Sequence, residues 1–186
     1  MKASFLGRVL MAVVLVNGAA VAKSKGSANL PQTDDQISKN VRHEVLVYPY
    51  YTIWDNIAYQ VDHGQVQLSG AVTEPIKKSD LGNIVQRIPG VTSVSNNIEV
   101  LPLSPMDSQL RLQVARAIYS YPTLSRYGMG ALPSIHVIVD NGRVTLTGVV
   151  DSQADKDVAG LRANGAGLSF GQVVNNLQVE QPGKKS

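Results

Sequence analysis

Two stretches of the chain repeat one another and decide the fold. Residues 57–72 are IAYQVDHGQVQLSGAV, and residues 135–150, which lie 78 positions later, are IHVIVDNGRVTLTGVV. In each stretch apolar residues alternate with polar ones on both sides of an Asp-x-Gly sequence. Alternation is typical of strands with one buried face, and the central glycine suits a tight turn. Each stretch therefore predicts a β-hairpin.

The repeat extends beyond the hairpins. Upstream, apolar residues recur at every fourth position, which predicts a helix with one buried stripe. They are Ile37, Val41 and Val45 in the first half and Leu110, Val114 and Ile118 in the second. Asp34 and Asp107 suit the positive end of a helix dipole and predict where these helices start. Downstream, VSNNIEV at 94–100 matches VVNNLQV at 173–179 and predicts a third strand.

A second helix fits between each hairpin and its third strand. We expect it to start at Thr73 in the first half and at Asp151 in the second. In the second half, Gly160 and Gly165 interrupt the helical pattern and predict a short helix. The predicted fold class is α+β: two tandem αββαβ modules, each a three-stranded mixed sheet covered on one face by two helices.

Residues 1–22 have the pattern of a secretory signal peptide. A basic start is followed by an apolar run and by an A-x-A cleavage sequence ending at Ala22. The alternative is a membrane anchor, but the apolar run is shorter than the ~20 residues that a span requires. We expect a periplasmic protein with a flexible leader at 23–32 and a basic tail at 181–186.

The charge distribution argues against nucleic acid as a partner. The chain has 17 Lys and Arg residues against 14 Asp and Glu residues. Six of the basic residues lie in the predicted signal peptide, leader and tail, which leaves 11 basic and 14 acidic residues in the modules. A nucleic-acid surface requires a concentrated basic patch.

These features resemble the tandem BON-domain proteins, which include osmotically inducible periplasmic proteins and outer-membrane lipid-maintenance proteins. The resemblance is carried by Val-x-Leu-x-Gly-x-Val at 66–72 and 144–150 and by the Val-x-Asn-x-Ile/Leu-x-Val third strands. It covers residues 33–102 and 106–180, which we expect to be the two domains. It implies phospholipid binding, a role in envelope integrity or osmotic-stress tolerance, and no catalytic residues.

The resemblance also implies structural roles for four residues. Gly70 and Gly148 are expected where a strand turns towards the second helix of its module. Asn96 and Asn175 are expected to bond to neighbouring backbone groups.

Motifs for catalysis and for metal binding are weak. Residues 167–171 (GLSFG) match the G-x-S-x-G pattern of hydrolases, but His136 is the only histidine of that half and precedes Ser169. His43 and His63 lack the spacing of metal ligands. We expect no enzyme activity, no cofactor and no metal site.

Aromatic residues are concentrated in the helix-to-strand connections. Tyr50, Tyr51 and Trp54 are candidates for contact with lipid, because such rings suit a membrane interface. Two alternatives remain open: the rings cap the hydrophobic core, or they form an interface between the two modules.

The first helix of the second half supplies the other lipid-binding candidates. With its apolar stripe facing the core, the other faces carry Arg111, Leu112, Arg116 and Tyr119. Basic residues beside apolar ones can meet anionic headgroups. The alternative is an ordinary solvated helix.

The sequence thus predicts a non-catalytic envelope protein that binds anionic phospholipid membrane surfaces. The alternative is a structural or protein-interaction module that self-associates weakly or bridges envelope proteins, because the sheet edges of small modules are templates for pairing.

Overall fold

The computed structural model describes residues 32–130, 132–166 and 173–180. The first module consists of α1 (Asp34–Val47), β1 (Asn56–Asp62), β2 (Gln65–Val72), α2 (Pro75–Gln86), β3 (Ser93–Asn96) and β4 (Glu99–Val100). The second consists of α3 (Pro105–Tyr119), β5 (Ile135–Asp140), β6 (Arg143–Val150), α4 (Gln153–Asn164), β7 (Val174–Asn175) and β8 (Gln178–Val179), with a 3-10 turn at Ser125–Gly128.

Each module has one mixed sheet with its second strand in the centre. β2 pairs antiparallel with β1 and parallel with β3 and β4, and β6 pairs in the same way with β5, β7 and β8. The short strands β3 and β4 are the two parts of the predicted third strand, as are β7 and β8. The α+β class with two tandem modules is confirmed.

Each module also has its own hydrophobic core. The helical stripes predicted from the sequence are buried in α1 and α3. They pack on the inward faces of the central strands, where Val66 and Leu68 are buried in the first module and Val144 and Leu146 in the second. The apolar residues spaced at helical intervals and those that alternate along the strands therefore face the same core in each module.

Both hairpin turns are bonded to the first helix of their module. His63 and Gly64 have φ angles of 48° and 76°, which is the pattern of a type I′ turn. The Asp34 carboxylate accepts hydrogen bonds from their two N–H groups, at 2.8 and 2.9 Å. The bonds from Gly64 and His63 lower the pKa of Asp34. Asp107 accepts the corresponding bonds from the turn at residues 141–142.

Asp107 thus fastens a turn and also lies in the first turn of its helix, as predicted for an acid at a helix start. α3 itself begins two residues earlier, at Pro105, with Ser104 as its N-cap. A proline in the first helical turn loses no hydrogen bond, because the N–H of that position has no partner within the helix. α1 begins at Asp34 as predicted, after the N-cap Thr33.

The asparagine of each third strand bonds to the second helix of its module. The Nδ2 atoms of Asn96 and Asn175 donate to backbone carbonyls of α2 and α4 at 2.8 and 2.7 Å. A Cβ on Gly82 or Gly160 would lie 2.6 or 2.8 Å from these nitrogens. Gly160 is thus a packing position. α4 has the same length as α2, 12 residues, so the prediction of a short helix is wrong.

Two glycines have φ angles that side chains disfavour. Gly70 and Gly148 lie inside β2 and β6 with φ of 109° and 117°. A Cβ there would collide with the backbone oxygen of Asn56 or Ser134 on the neighbouring segment. Each therefore meets two separate requirements for glycine, one of backbone conformation and one of space.

We expect Gly148→Ala to lower the free energy of unfolding by at least about 2 kcal/mol, because strain at positive φ adds to the collision. Gly130→Ala is the matched control, since Gly130 has φ of 118° but nothing within 4 Å of an added Cβ. Urea unfolding measures both. Equal losses for the two variants would contradict the steric part of the explanation.

Candidate functional site

The helix-to-strand connection of the first module, residues 48–55, carries most of the aromatic candidates. Tyr48 is buried, and its hydroxyl donates to Asp80 Oδ2 at 2.7 Å. Tyr50 is 65% exposed and meets the Tyr48 ring edge-on. Tyr51 and Trp54 are half-buried, and their partners include residues of the second module.

A buried carboxylate fixes the shape of this connection. Asp55 is fully buried, and its oxygens accept from the backbone N–H and the hydroxyl of both Thr52 and Thr73, at 2.7 to 3.0 Å. The ammonium group of Lys77, itself buried, donates to Asp55 Oδ2 at 2.8 Å. Burial raises the pKa of Asp55, but the bonds from Lys77, Thr73 and Thr52 outweigh it, so the net pKa is lowered.

The second module has an equivalent charged contact in which the helix carries the acid and not the base. Asp155 lies 78 positions after Lys77 and occupies the matching turn of α4. Its Oδ2 accepts from the Ser152 hydroxyl at 2.6 Å, from the Arg126 guanidinium at 2.8 Å and from the Tyr127 hydroxyl at 2.9 Å. The bond from Ser152 makes the largest contribution to lowering the pKa of Asp155. Each module thus bonds its first connection to its second helix through a charged side chain.

The 48–55 connection bonds to strand β5 of the second module. The Ile53 carbonyl accepts from Val137 N at 2.8 Å, and the Asp55 carbonyl lies 2.7 Å from His136 Nδ1. Since a carbonyl can only accept, Nδ1 carries the proton of this imidazole. The Tyr51 ring lies 5.4 Å from the His136 ring, and Trp54 packs against the core of the second module.

These contacts form the inter-module interface, which we define as residues 51–55 against β5. It agrees with one of the two alternatives for the aromatic residues, because Tyr51 and Trp54 contact the second module. Residues 135–139 are all buried, unlike the equivalent part of β1. The sequence carried a signal of this: residues 137–139 are a continuous apolar run, as expected of a strand covered on both faces.

His136 is a buried titratable group within this interface. Burial lowers its pKa, and the opposing effects of the Asp55 and Thr52 backbone and of the Asp55 charge do not compensate. The neutral imidazole with its proton on Nδ1 is the form that the interface accommodates. Sequence reasoning considered His136 only as a partner of Ser169 and, with His43 and His63, as a histidine without metal-ligand spacing; it did not predict burial at an interface.

The outer edge of β5 is closed by three hydrogen bonds from three different sources. Tyr119 donates its hydroxyl to the Ile135 carbonyl, Val137 N donates to the 51–55 segment, and Arg111 donates to the Val139 carbonyl at 2.8 Å. The three strand residues are alternate ones, whose backbone groups point away from β6. These bonds occupy three of the outward backbone groups of the strand, so another strand cannot pair along this edge in regular register.

Arg111 and Tyr119 are therefore not on the face where the sequence placed them. Arg111 is 8% exposed, and burial lowers its pKa. Tyr119 is half-buried, and burial raises its pKa. The helical pattern indicated correctly that both lie off the apolar stripe. It could not show that the side next to the stripe covers a strand edge.

Leu112 and Arg116 lie on the exposed face of α3. Two residues that the sequence analysis did not single out are exposed on α4, the helix that packs against α3. Arg162 Nε donates to the Ala117 carbonyl at 3.2 Å, and Leu161 is 72% exposed. Together these four side chains, Leu112, Arg116, Leu161 and Arg162, form what we call the α3–α4 face.

One cluster among the described residues has the composition of a metal site. Asp34, Asp62 and His63 form a cluster with metal-ligand atoms close together, but both Asp34 oxygens already accept backbone N–H groups. The GLSFG motif at 167–171 lies outside the described residues.

The comparisons with known proteins assign the family. A model of the BON domain matches residues 33–102 and again residues 107–181. The chain belongs to the BON-domain family. The family is associated with the cell envelope and is non-catalytic, and none of the helices within residues 32–130, 132–166 and 173–180 is long and apolar enough to span a bilayer.

Solved structures add little beyond the family. The chain is similar to CdsD, a structural protein of the type III secretion system of Chlamydia trachomatis, with 16% identity and a TM-score of 0.31 over 77% of this chain and 61% of that one. For the C-terminal domain of CdsD the values are 17% and 0.31, over 81% and 67%. This BON protein thus spans about three-fifths of the first of these chains. No curated protein matches it.

Removing the Asp55 carboxylate should destabilise this BON protein strongly. We expect Asp55→Ala to cost about 3–5 kcal/mol of unfolding free energy, since it leaves the Lys77 ammonium buried and unpaired. Asp80→Ala, which removes a single bond to Tyr48, should cost about 1 kcal/mol. Chemical denaturation measures both. The double change Asp55→Ala with Lys77→Met should cost less than the two single losses added together, and full additivity would contradict the pairing.

Stability should also fall in mildly acidic solution because of His136. Its pKa in the folded state is lowered from 6.5, so below pH 6.5 the unfolded chain binds a proton that the folded chain does not. The free energy of unfolding therefore decreases as the pH falls from 6.5 through the folded pKa, and it is unaffected above that range. His136→Asn keeps a donor near the Nδ1 position and should flatten thermal stability measured between pH 7 and pH 5. The exposed-site variant His43→Asn should keep the slope of the natural protein, and an unchanged slope in His136→Asn would refute the assignment.

Proposed function

We propose that this BON protein is a non-catalytic periplasmic protein that docks reversibly on anionic phospholipid surfaces through its α3–α4 face, and so supports envelope integrity or osmotic-stress tolerance. The observation that carries the proposal is that α3 and α4, which pack against each other, expose two arginines and two leucines, with Arg162 bonded to the α3 backbone at Ala117. The arginines attract phosphate headgroups, and the leucines can enter the boundary with the acyl chains.

The α3–α4 face has cations available for headgroups. No salt bridge among the described residues engages Arg116 or Arg162. Arg162 lies over the Tyr121 ring at 5.2 Å, so its side chain is supported on one side and open on the other. By contrast, Arg126 is held by Asp151 and Asp155.

Overall charge also favours the second module. Residues 106–180 hold six basic and six acidic residues, whereas residues 33–102 hold five basic and eight acidic ones. An acidic module is repelled by an anionic surface. The neutral module, with its arginines on an outer face, is the one that can approach it.

The aromatic candidates have a smaller part in this proposal than the sequence analysis predicts. Tyr51 and Trp54 are engaged by the second module. Tyr50 remains a candidate for lipid contact, and Leu46 and Val47 near it are also exposed. They belong to the acidic module, however, so we place the primary contact on α3 and α4.

The expected binding is weak and salt-sensitive. A basic residue near an anionic surface contributes about 1 kcal/mol, and the two arginines are exposed to screening by salt. Such a protein exchanges between the membrane and the periplasm.

Vesicle co-sedimentation tests the proposal. We expect the purified protein to bind vesicles that contain phosphatidylglycerol and not neutral phosphatidylcholine vesicles. The change Arg116→Ala with Arg162→Ala should weaken binding about tenfold or more, because two attractions of about 1 kcal/mol are lost. Lys39→Ala with Arg87→Ala removes the same charge from exposed sites of the first module and should leave binding within about twofold. Equal losses in both pairs, or background binding to both vesicle types, would refute the α3–α4 face as the docking site.

A further inference from the structure

The two modules use the same sheet edge in different ways. β1 and β5 are equivalent edge strands with the same register: Ile57 pairs with Gly70 as Ile135 pairs with Gly148. The backbone groups that point outward from β1 therefore belong to Ile57, Tyr59 and Val61, because those of β5 belong to the matching residues 135, 137 and 139.

The side chains that close β5 have no counterpart along β1. Arg111 and Tyr119 of α3 correspond to Ser38 and Leu46 of α1, which lie 73 positions earlier. Neither can reach a strand carbonyl as an arginine or a tyrosine does. Among the described hydrogen bonds, none engages the outward backbone groups of Tyr59 or Val61.

Burial along the two strands agrees with this difference. Ile135, Val137 and Val139 are fully buried at 0% exposure. The equivalent residues of β1 face the same side of the sheet but are only partly buried. Within the part of the chain that the structure describes, the β1 edge therefore has no counterpart of the layer that covers the β5 edge.

The β1 edge also lacks the usual protection against pairing. Soluble proteins place Lys, Pro or a bulge on exposed edge strands. The sequence from Ile57 to Val61 is IAYQV, which has no charge and no proline, and its pairing with β2 is regular. The Tyr51 phenol lies near this edge, at the Ile57 backbone.

We infer that β1 is a self-association edge, at which the β1 strand of a second copy of this chain pairs in antiparallel orientation centred on Tyr59. We choose a second copy as the partner because the molecule already pairs the equivalent edge with a BON module. In the second module, Val137 N of that edge donates to the Ile53 carbonyl of the first module. This inference goes beyond the proposed membrane docking and uses a different module.

The strand is complementary to itself in this register. Tyr59 lies opposite Tyr59 of the other copy, and each pair of outward residues exchanges both backbone hydrogen bonds. On the core side Ile57 meets Val61, and at the ends Asp62 meets Asn56, so no like charges lie opposite one another. The resulting dimer carries two α3–α4 faces, which would raise its membrane avidity.

Closing the edge by the method that the second module uses provides the test. Ser38→Arg introduces an arginine at the position equivalent to Arg111, where it can bond to the β1 edge. Ser79→Arg is the control, because it adds the same charge on the exposed side of α2. In sedimentation-velocity experiments from micromolar to millimolar protein, the natural chain and Ser79→Arg should dimerise. Ser38→Arg should dimerise at least about tenfold more weakly. A monomer throughout, or equal association of both variants, would overturn the inference.

A disulfide test checks the register independently of stability. The chain has no cysteine, so Ala58→Cys and Gln60→Cys each introduce one thiol on the open sheet face. Residues 58 and 60 of opposite copies form the close, non-hydrogen-bonded pair of this register. A mixture of the two variants should form a cross-linked heterodimer faster than either variant forms a homodimer. Equal rates would contradict pairing centred on Tyr59. The outcome is separate from the vesicle test, because a protein that dimerises but does not bind vesicles contradicts only the membrane proposal.

Discussion

The buried carboxylate of Asp55 is the constraint on which the arrangement of this BON protein depends. It accepts hydrogen bonds from two threonines and from Lys77, so it stays charged inside the protein at a substantial cost of desolvation. That network fixes the 51–55 segment, which turns at Ile53 and Trp54, so that the Ile53 and Asp55 carbonyls point at β5. The contact between the modules is therefore set inside the first module.

Duplication gave two modules with the same chain path and different surfaces. The features that the two copies share are internal ones, such as the hairpin turn held by an aspartate and the asparagine that packs on a helical glycine. The differences lie where a module meets something else. Arg111 and Tyr119 close an edge in the second module, whereas the equivalent edge of the first remains available to a partner.

The separation of surfaces suits an envelope protein with more than one contact. The α3–α4 face lies on helices of the neutral module, and the β1 edge lies on the sheet of the acidic one. The inter-module interface holds His136, whose pKa is lowered by burial. The proposed membrane contact, the proposed self-association and the inter-module interface thus involve different residues and can be altered one at a time.

The sequence by itself determined the local structure: the alternation and the fourfold spacing of apolar residues predicted both hairpins, the first helices and the repeated fold. These patterns depend on short-range geometry, because each records which side of one element is buried. Only the tertiary structure decided which polar residues were available. Arg111 and Arg116 both lie off the apolar stripe of α3, yet one is buried on a strand edge and the other is exposed, because burial of a polar side chain depends on which distant backbone groups need a partner.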